Sequence, residues 1–259
     1  MLIQKKTLKT ALFIDIETVS KTQYFHELPK SLQLLWKCKS KQFLTDRSQE
    51  VTEELAASLY REKAGIFAEF GKIVCISIGY LSNQDSSSPV LRVKSLYGEE
   101  IEILRNFNNI LNEHYTDIKK DYLCGHNIKE FDIPFICRRN IVHGLKLPRL
   151  INISGKRSWQ LKQFLDTMEL WKFGEFKNYT SLNLLAELLN IPWPKNVIDG
   201  SQISRVYWED DDVNRIISYC EKDVITVVQI AMRFSGQSLI EKSNIEIVKD
   251  KISAVPLSD

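Results

Sequence analysis

The segment at 10–17, with the sequence TALFIDIE, restricts the fold of this chain more than any other segment. Its residues are apolar on both faces of an extended strand, and such a strand has to lie in the middle of a sheet and to be covered on both sides. Only four apolar residues precede Asp15, whereas the hydrophobic part of a leader peptide needs about 7–15. We therefore expect a central β-strand here rather than a leader.

The rest of the chain alternates between strand-like and helix-like patterns of apolar residues. Further strands are predicted at 73–81, 90–97, 122–124 and 161–166, and helices at about 99–114, 133–143, 182–189 and 212–233. The second and third strands are close enough in sequence to form an antiparallel hairpin. Three strands followed by alternating helices and strands predict an α/β fold, in which a five-stranded mixed sheet, with its first three strands antiparallel, is flanked by helices.

Composition excludes several classes of protein. The 259 residues are 44% apolar and 26% charged, which is typical of a globular chain. The 35 basic and 33 acidic residues give a net charge of +2, whereas a tight, sequence-independent binder of duplex DNA is usually far more basic. No run of 18 apolar residues is present, so we expect no membrane span. Five scattered cysteines without a C-x-x-C pair favour reduced thiols in a cytoplasmic protein over disulfides or a zinc site.

Two carboxylates interrupt the first predicted strand. Asp15 and Glu17 are two residues apart, so they lie on the same face of the strand and next to each other. Like charges in a half-buried place repel each other and lose solvation, unless a cation binds between them. Carboxylate oxygens are ligands that suit Mg²⁺ or Mn²⁺. The alternative is that the strand has already emerged into solvent at residue 15.

A second acidic motif, N-x-x-x-F-D at 127–132, directly follows the fourth predicted strand. Asp132 is expected at the start of a helix. The alternative to a functional role is an ordinary helix cap, since Asp is among the preferred residues at that position. Asn127 has a similar alternative as a turn residue.

A third motif lies on the last predicted helix. Tyr219 and Asp223 are four residues apart and share one face, beside the apolar stripe of that helix. The carboxylate of Asp223 is therefore able to reach a site between the helix and the sheet; the alternative is an exposed carboxylate next to an aromatic residue at the core edge. A similar pair, Tyr207 and Asp211, precedes the helix, where acidic residues form its N-cap and first turn. We therefore exclude that pair from the site.

Together, D-x-E at 15–17, N-x-x-x-F-D at 127–132 and Y-x-x-x-D at 219–223 resemble the motifs of the DEDD superfamily of 3′–5′ exonucleases. The tyrosine marks the DEDDy branch, because the other branch has a histidine at the place of Ser218. The wider strings around these motifs are similar to the proofreading exonuclease domain of family B DNA polymerases, in a stand-alone form.

The resemblance extends over about residues 10–235 and implies a ribonuclease H-like fold. We accordingly expect an exonuclease domain at 1–235, which includes a lysine-rich helical insertion at 21–70, and a C-terminal tail at 236–259 without strong periodicity. Neither the insertion nor the tail belongs to the minimal domain of the family.

The resemblance also implies a catalytic centre with two Mg²⁺ or Mn²⁺ ions. Asp15 would bridge the ions, Glu17 and Asp223 would complete one site, and Asp132 would serve the other. Two such ions are able to clamp the attacking and the leaving oxygen of an in-line displacement. Tyr219 would hydrogen-bond the attacking water as an orienting group or as a base, and its ordinary pKa of about 10 favours the orienting role.

Contacts with the substrate are implied for Thr18, Asn127 and Phe131, although Phe131 has the alternative of a pure core residue. Asp166, at the end of the fifth predicted strand, is either a fifth carboxylate of the site or a cap for the following turn. Two basic stretches offer further contacts with nucleic acid, and each has the alternative of a solvated surface. They are Lys156, Arg157 and Trp159 in one stretch, and Lys30, Lys37, Lys39 and Lys41 in the insertion.

The function that we expect is therefore metal-dependent 3′–5′ hydrolysis of single-stranded DNA or of frayed ends, with release of nucleoside 5′-monophosphates. A non-catalytic nucleic-acid-binding domain, an exoribonuclease and an endonuclease of the same fold are the alternatives. No residue of the sequence is identified as a contact to the ribose 2′-hydroxyl. The sequence therefore favours single-stranded DNA as the substrate but does not exclude RNA. Any part in proofreading or repair would be played in trans, beside a polymerase or repair partner that the sequence does not identify.

Overall fold

The computed structural model describes residues 2–48, 50–82, 89–175, 179–192 and 200–249. Within these residues six strands form one sheet. They are β1 Ala11–Ser20, β2 Gly71–Ser82, β3 Val90–Tyr97, β4 Tyr122–Gly125, β5 Phe164–Asp166 and β6 Ile245–Ile247.

Helices cover both faces of this sheet. The α-helices of the described residues are α1 Lys5–Leu8, α2 Lys30–Ser40, α3 Glu53–Lys63, α4 Glu100–His114, α5 Asp132–Val142, α6 Thr167–Lys172, α7 Leu182–Leu188, α8 Ile203–Trp208 and α9 Val213–Phe234. Short 3₁₀ turns occupy Phe25–Glu27, Lys41–Phe43, Ala64–Ile66, Ser158–Gln160, Gly200–Gln202 and Lys242–Asn244. None of the helices in the described parts of the chain is both long and apolar enough to cross a membrane.

The strand order is β5-β4-β1-β2-β3-β6, so β1 lies inside the sheet. The pairs β1–β2 and β2–β3 are antiparallel, and the pairs β1–β4, β4–β5 and β3–β6 are parallel. The predicted mixed α/β architecture with three initial antiparallel strands is confirmed. The predicted number of five strands is wrong: β6 adds a sixth at the edge, and its three partly exposed residues are too few to leave a periodic pattern.

Strand β1 is buried on both faces, as its sequence predicts. Leu12, Ile14 and Ile16 pack with α4 and α5 in one core. Ala11 and Phe13 pack with α9 in the other. Because side chains alternate along a strand, Asp15 and Glu17 belong to the face that α9 covers.

A glycine brings α9 close to the sheet. A Cβ atom at Gly79 of β2 would lie only 2.8 Å from Cγ1 of Val224 in α9, so a larger residue would push the helix outward. Val224 directly follows Asp223, and its close approach therefore fixes the depth at which that carboxylate reaches the sheet.

The segment at 21–70 contains α2 and α3 and has a core of its own around the buried Trp36. The indole N–H of Trp36 donates to the carbonyl of Ala56 at 2.9 Å and ties the two helices together. Three lysines of this segment have partners within the chain. Lys30 donates to Gln33 at 3.3 Å, Lys37 pairs with Glu53, and Lys39 lies over the ring of Phe67 at 4.6 Å.

A buried ion pair anchors α5, the helix that carries Asp132. Arg139 donates from Nε and Nη2 to the carboxylate of Glu100 in α4, at 2.8 and 2.6 Å, and from Nη1 to the carbonyl of Ala68 at 3.0 Å. The same carboxylate accepts the backbone N–H of Ile73 in β2 at 2.8 Å. Burial alone would raise the pKa of Glu100, but hydrogen bonds, first among them those from Arg139, lower that pKa overall.

Replacing Arg139 by methionine should lower the free energy of unfolding by about 3–5 kcal/mol, because it leaves a buried carboxylate without its main partner. Urea denaturation at neutral pH measures this loss. The matched control is Arg105→Met, which breaks the exposed pair of Arg105 with Glu102 and should cost about 0–1 kcal/mol. Equal losses in the two variants would contradict the anchoring role of Arg139.

Candidate active site

Asp15 and Glu17 form the centre of the site on the α9 face of β1. They pair across the sheet with Ser77 and Cys75 of β2, and the register shifts directly after Glu17. Ligand atoms of Asp15, Glu17 and Cys220 of α9 all lie within 4.8 Å of one another. The alternative of a strand that has emerged into solvent does not hold, because Ile16 and Glu17 are buried and Asp15 is half-buried.

The carboxylate of Glu17 has no partner of opposite charge. Only 8% of the residue is exposed, and among the described residues it accepts no hydrogen bond and forms no ion pair. Burial and then the neighbouring Asp15 raise the pKa of Glu17 well above its usual range. A buried anion without a partner lowers the stability of the folded state unless it binds a proton or a cation.

Asp132 reaches β1 from the N-terminus of α5. Strand β4 pairs with β1 only as far as Phe13, so the backbone N–H of Ile16 is not bonded to that strand. Oδ1 of Asp132 accepts this N–H at 3.2 Å and thereby stands beside Asp15. Asp132 is the first residue of α5 and Phe131 takes the cap position, so the alternative of an N-cap is not what the structure shows.

Gly125 makes the close approach of this turn to β1 feasible. A Cβ atom at Gly125 would lie 2.8 Å from the carbonyl oxygen of Ile14 and 2.0 Å from Cγ2 of Ile128. The turn that leads to Asp132 therefore depends on glycine at this position.

Tyr219 and Asp223 come from α9 and are half-buried. The hydroxyl of Tyr219 lies near the carboxylate of Asp223, and its influence opposes the rise that burial causes in the pKa of Asp223. Burial, and after it the charges of Asp223 and Glu17, raise the pKa of Tyr219 far above its usual range. The hydroxyl therefore keeps its proton at neutral pH.

The four carboxylates raise one another's proton affinity. Burial and the charges of Asp223 and Asp132 raise the pKa of Asp15 well above its usual range. Burial raises the pKa of Asp132 to about 8 and that of Asp223 to about 7. None of the four forms an ion pair with a described residue. Such a group of oxygen ligands fits a divalent cation, which would relieve both the repulsion and the lost solvation.

Asp166 caps α6, and its charge also raises the pKa of Asp132. Its Oδ1 accepts the N–H groups of Met168 and Glu169 at the start of α6, at 3.0 and 3.2 Å, and that of Asn127 at 2.9 Å. Its Oδ2 accepts the N–H of Lys129 at 3.1 Å. Through these four hydrogen bonds, the carboxylate of Asp166 holds the turn around Asn127 against the end of β5.

The three residues with implied substrate contacts have different surroundings. Asn127 has a left-handed φ of 65°, and its buried side-chain oxygen has no hydrogen-bond partner. Phe131 is half-buried and packs on Phe135 with ring centroids 5.6 Å apart. The hydroxyl of Thr18 donates to the carbonyl of Gly65 at 2.8 Å, and so links β1 to the segment at 21–70.

Tyr207 and Asp211 lie outside the acidic group. The hydroxyl of Tyr207 accepts a hydrogen bond from Lys72 at 3.1 Å, and the same ammonium lies 4.6 Å from the centre of the ring. The cap of α9 is the neighbouring Asp212, which accepts the N–H of Arg215 at 3.0 Å.

Sequence reasoning missed the two cysteines of the site. Cys220 donates to Oδ2 and to the carbonyl of Asp15, at 3.3 and 3.4 Å. Cys75 stands opposite Glu17 in the register of β1 and β2 and packs in the same hydrophobic cluster as Cys220. The position of Cys220 three residues before Asp223 was the one available signal, because residues at that spacing are neighbours on a helix.

Comparison with known proteins agrees with this geometry. A family model described as a predicted 3′–5′ exonuclease related to the exonuclease domain of PolB matches residues 66–249. The match contains Asp132, Tyr219 and Asp223 but begins after β1, so Asp15 and Glu17 lie outside it. No curated protein matches the chain in sequence.

One solved structure with a similar fold is the family B DNA polymerase from the hyperthermophilic archaeon Pyrobaculum calidifontis. The TM-score is 0.54 at 16% sequence identity, and the similarity covers 86% of this chain and 24% of the polymerase chain. The chain thus spans about a quarter of the length of that polymerase. At this identity the similarity shows the fold, which is the ribonuclease H-like architecture expected from the sequence.

Without divalent cations the protein should lose stability as the pH rises between about 5 and 9. The folded-state pKa values of about 8 for Asp132 and about 7 for Asp223 exceed the unfolded value of about 3.9, so the folded state binds more protons in this range. Asp15→Asn should weaken this dependence, and Mg²⁺ should reverse it by raising Tm most at the alkaline end. A change of about 1 kcal/mol corresponds to about 2–4 °C for a chain of this size.

Calorimetry in a chelator and in Mg²⁺ measures both effects. The control is Glu113→Gln, which removes an exposed carboxylate and should leave the dependence on pH unchanged. A Tm that rises with pH in the chelator would contradict the raised pKa values.

Proposed function

Because the chain belongs to the family of predicted 3′–5′ exonucleases related to the exonuclease domain of PolB, we propose that it removes nucleotides from the 3′ end of single-stranded DNA or of frayed ends. The products would be nucleoside 5′-monophosphates. The observation that carries the proposal is that carboxylates of separate elements meet at β1. Ligand atoms of Asp15 and Glu17 lie within 4.8 Å of each other, and Asp132 of α5 accepts a hydrogen bond from the backbone of Ile16 between them. The charge of Asp223 of α9 raises the pKa of both Asp15 and Glu17.

In this proposal Asp15, Glu17, Asp132 and Asp223 hold two divalent cations, Mg²⁺ or Mn²⁺. Two observations support this assignment: ligand atoms of Asp15 and Glu17 lie within 4.8 Å of each other, and the carboxylate of Glu17 has no partner among the described residues. Asp132 and Asp223 are assigned to the same cations because their charges raise the pKa of Asp15. Such cations, when bound, activate water and stabilise the oxygen that leaves the phosphate.

Tyr219 acts in this proposal as an orienting group and not as a base. Its hydroxyl keeps its proton because burial and the nearby carboxylates raise its pKa. Tyr219 lies one turn before Asp223 on α9, and the helix holds its oxygen at the edge of the acidic group. A hydroxyl fixed in this way is suited to accept a hydrogen bond from the attacking water and to aim it.

Exposed aromatic side chains support a single-stranded substrate. Trp159, Phe173 and Tyr179 are 67%, 74% and 68% exposed, although burial would normally stabilise side chains of this size. The guanidinium of Arg157 lies 5.0 Å from the ring of Trp159, and Lys156 beside it is exposed. Aromatic faces with basic neighbours are what unpaired bases and their phosphates bind.

Hydrogen bonds connect these aromatic residues to the turn that carries Asn127. His126 bonds the carbonyl of Thr180, next to Tyr179, at 2.8 Å. Ser158, next to Trp159, bonds Glu169 at 3.4 Å, and Glu169 pairs with Lys129. A strand that stacks on Trp159 or Tyr179 would therefore lie near the turn that carries Asn127.

We propose that Asn127, Phe131 and Thr18 contact the terminal nucleotide. The buried side-chain oxygen of Asn127 supports this part, because it lacks a partner in the described structure and a hydroxyl of the substrate would supply one.

We assign the exonuclease domain to 1–235 with the insertion at 21–70, although β6 in the segment at 236–259 extends its sheet. We also propose a cytoplasmic location and action on ends that a polymerase or repair enzyme leaves.

Incubation with Mg²⁺ or Mn²⁺ and a 5′-labelled single-stranded oligonucleotide should give stepwise shortening from the 3′ end. Asp15→Ala should lower the rate by more than about 100-fold while the protein stays folded. Asp210→Ala, which changes an exposed acidic residue before α9, should keep the rate of the unchanged protein. A folded protein that shortens no substrate with either metal would overturn the proposal and favour a binding domain of the same fold.

Two further substrates separate the remaining alternatives. A matched RNA oligonucleotide that is degraded faster than DNA would identify an exoribonuclease. Cleavage of closed circular single-stranded DNA, which has no 3′ end, would identify an endonuclease.

Trp159→Ala should weaken the binding of a single-stranded oligonucleotide by about 1–3 kcal/mol, which is about 5- to 150-fold, because one stacking face is lost. Fluorescence anisotropy in a chelator measures binding without cleavage. The control is Tyr80→Ala, which removes an exposed aromatic residue of β2 that lies near the start of β1, opposite the end that carries Glu17. Equal affinities for Trp159→Ala and the unchanged protein would exclude Trp159 from the path of the strand.

A further inference from the structure

A sulfur atom stands among the oxygen ligands of the acidic group. Sγ of Cys220 lies 3.3 Å from Oδ2 of Asp15, and one ligand atom each from Asp15, Glu17 and Cys220 lies within 4.8 Å of the other two. Hard cations such as Mg²⁺ do not use thiolate ligands, whereas Zn²⁺ and Cd²⁺ do.

The buried carboxylate of Glu17 is an independent indication that this place accepts a cation. It is 8% exposed and has no hydrogen bond or ion pair among the described residues, yet one of its oxygens faces both Asp15 and Cys220. Unpaired buried anions are rare because their lost solvation is not compensated. A cation held between Glu17 and Cys220 would provide that compensation.

A second thiol lies directly beside the first. Cys75 stands opposite Glu17 on β2 and packs in the same hydrophobic cluster as Cys220. Sγ of Cys75 also lies 3.7 Å from the hydroxyl of Ser77, the residue opposite Asp15. Two thiols, one on α9 and one on β2, therefore lie beside Asp15 and Glu17.

We propose that Cys220, Asp15 and Glu17 bind a thiophilic divalent cation, Zn²⁺ or Cd²⁺, in a mode that competes with Mg²⁺. Binding replaces the S–H bond of Cys220 by a sulfur–metal bond and releases the proton to solvent, with no change of oxidation state. Competition with Mg²⁺ rests on the proposed function, whereas formation of the sulfur–metal bond does not. The consequence is a nuclease that traces of such metals inhibit through a residue outside its four carboxylates.

Titration of the full-length protein with Cd²⁺ tests the proposal, because a cadmium–thiolate bond has its own ultraviolet charge-transfer absorption. All five cysteines are free, so the titration is made in a Cys38→Ser background, which removes the one thiol that is exposed. We expect an absorption that saturates at one equivalent of Cd²⁺ and that disappears in Cys220→Ser and Cys220→Ala. Cys124→Ser, which changes a buried cysteine of β4, should retain it.

Two further measurements identify the oxygen ligands and the competition. Asp15→Asn should raise the Kd for Cd²⁺ by about tenfold or more, while the absorption still forms at higher concentration. Excess Mg²⁺ should shift the Cd²⁺ titration to higher concentrations. Circular dichroism shows whether each variant is folded. Because Cys220 is replaced by both serine and alanine, the test still works if one of these variants does not fold.

The absence of the absorption, or its persistence in a folded Cys220 variant, would overturn the proposal. These outcomes are distinct from failure of the proposed function. Metal-dependent shortening of DNA without the cadmium absorption would leave the exonuclease in place and remove this site. An absorption that depends on Cys220, in a protein without nuclease activity, would support this metal site and overturn the proposed function.

Discussion

The repulsion between buried carboxylates at the end of β1 is the constraint on which the rest of the site depends. Asp15 and Glu17 share the face of β1 that α9 covers, so they are withdrawn from water together. Asp132 and Asp223 add charges from two other elements, and burial raises the pKa of all four groups. Binding of a cation would offset the folding free energy that this arrangement costs, so the proposed cation site would join the stability of the protein to its proposed activity.

Rigid contacts outside the acidic group keep the repelling residues in place. The ion pair of Arg139 with Glu100 fixes α5 against α4 and β2, and Asp166 holds the turn that precedes α5 by four backbone hydrogen bonds. Gly125 and Gly79 let this turn and α9 approach the sheet. None of these four contacts involves a ligand of the proposed cations, and yet each one sets the distance between carboxylates.

The sequence alone predicted most of the sheet, because β1 is apolar on both faces and the spacing of the next two strands requires a hairpin. The sequence did not predict β6, because its three residues carry no periodic signal. The sequence also left open whether Asp166 is a carboxylate of the site or a cap. The capping role of Asp166 follows from N–H groups up to 39 residues distant in the chain, which no local pattern reveals. For the same reason the approach of Cys220 to Asp15, across 205 residues, became visible only in the folded chain.

The central claim is that the carboxylate group is a cation site, and anomalous X-ray scattering from crystals grown with Mn²⁺ tests it most directly. The account predicts anomalous peaks in direct contact with the carboxylates of Asp15 and Glu17, and loss of these peaks in Asp15→Asn. Peaks confined to other parts of the surface, or unchanged by Asp15→Asn, would contradict the account.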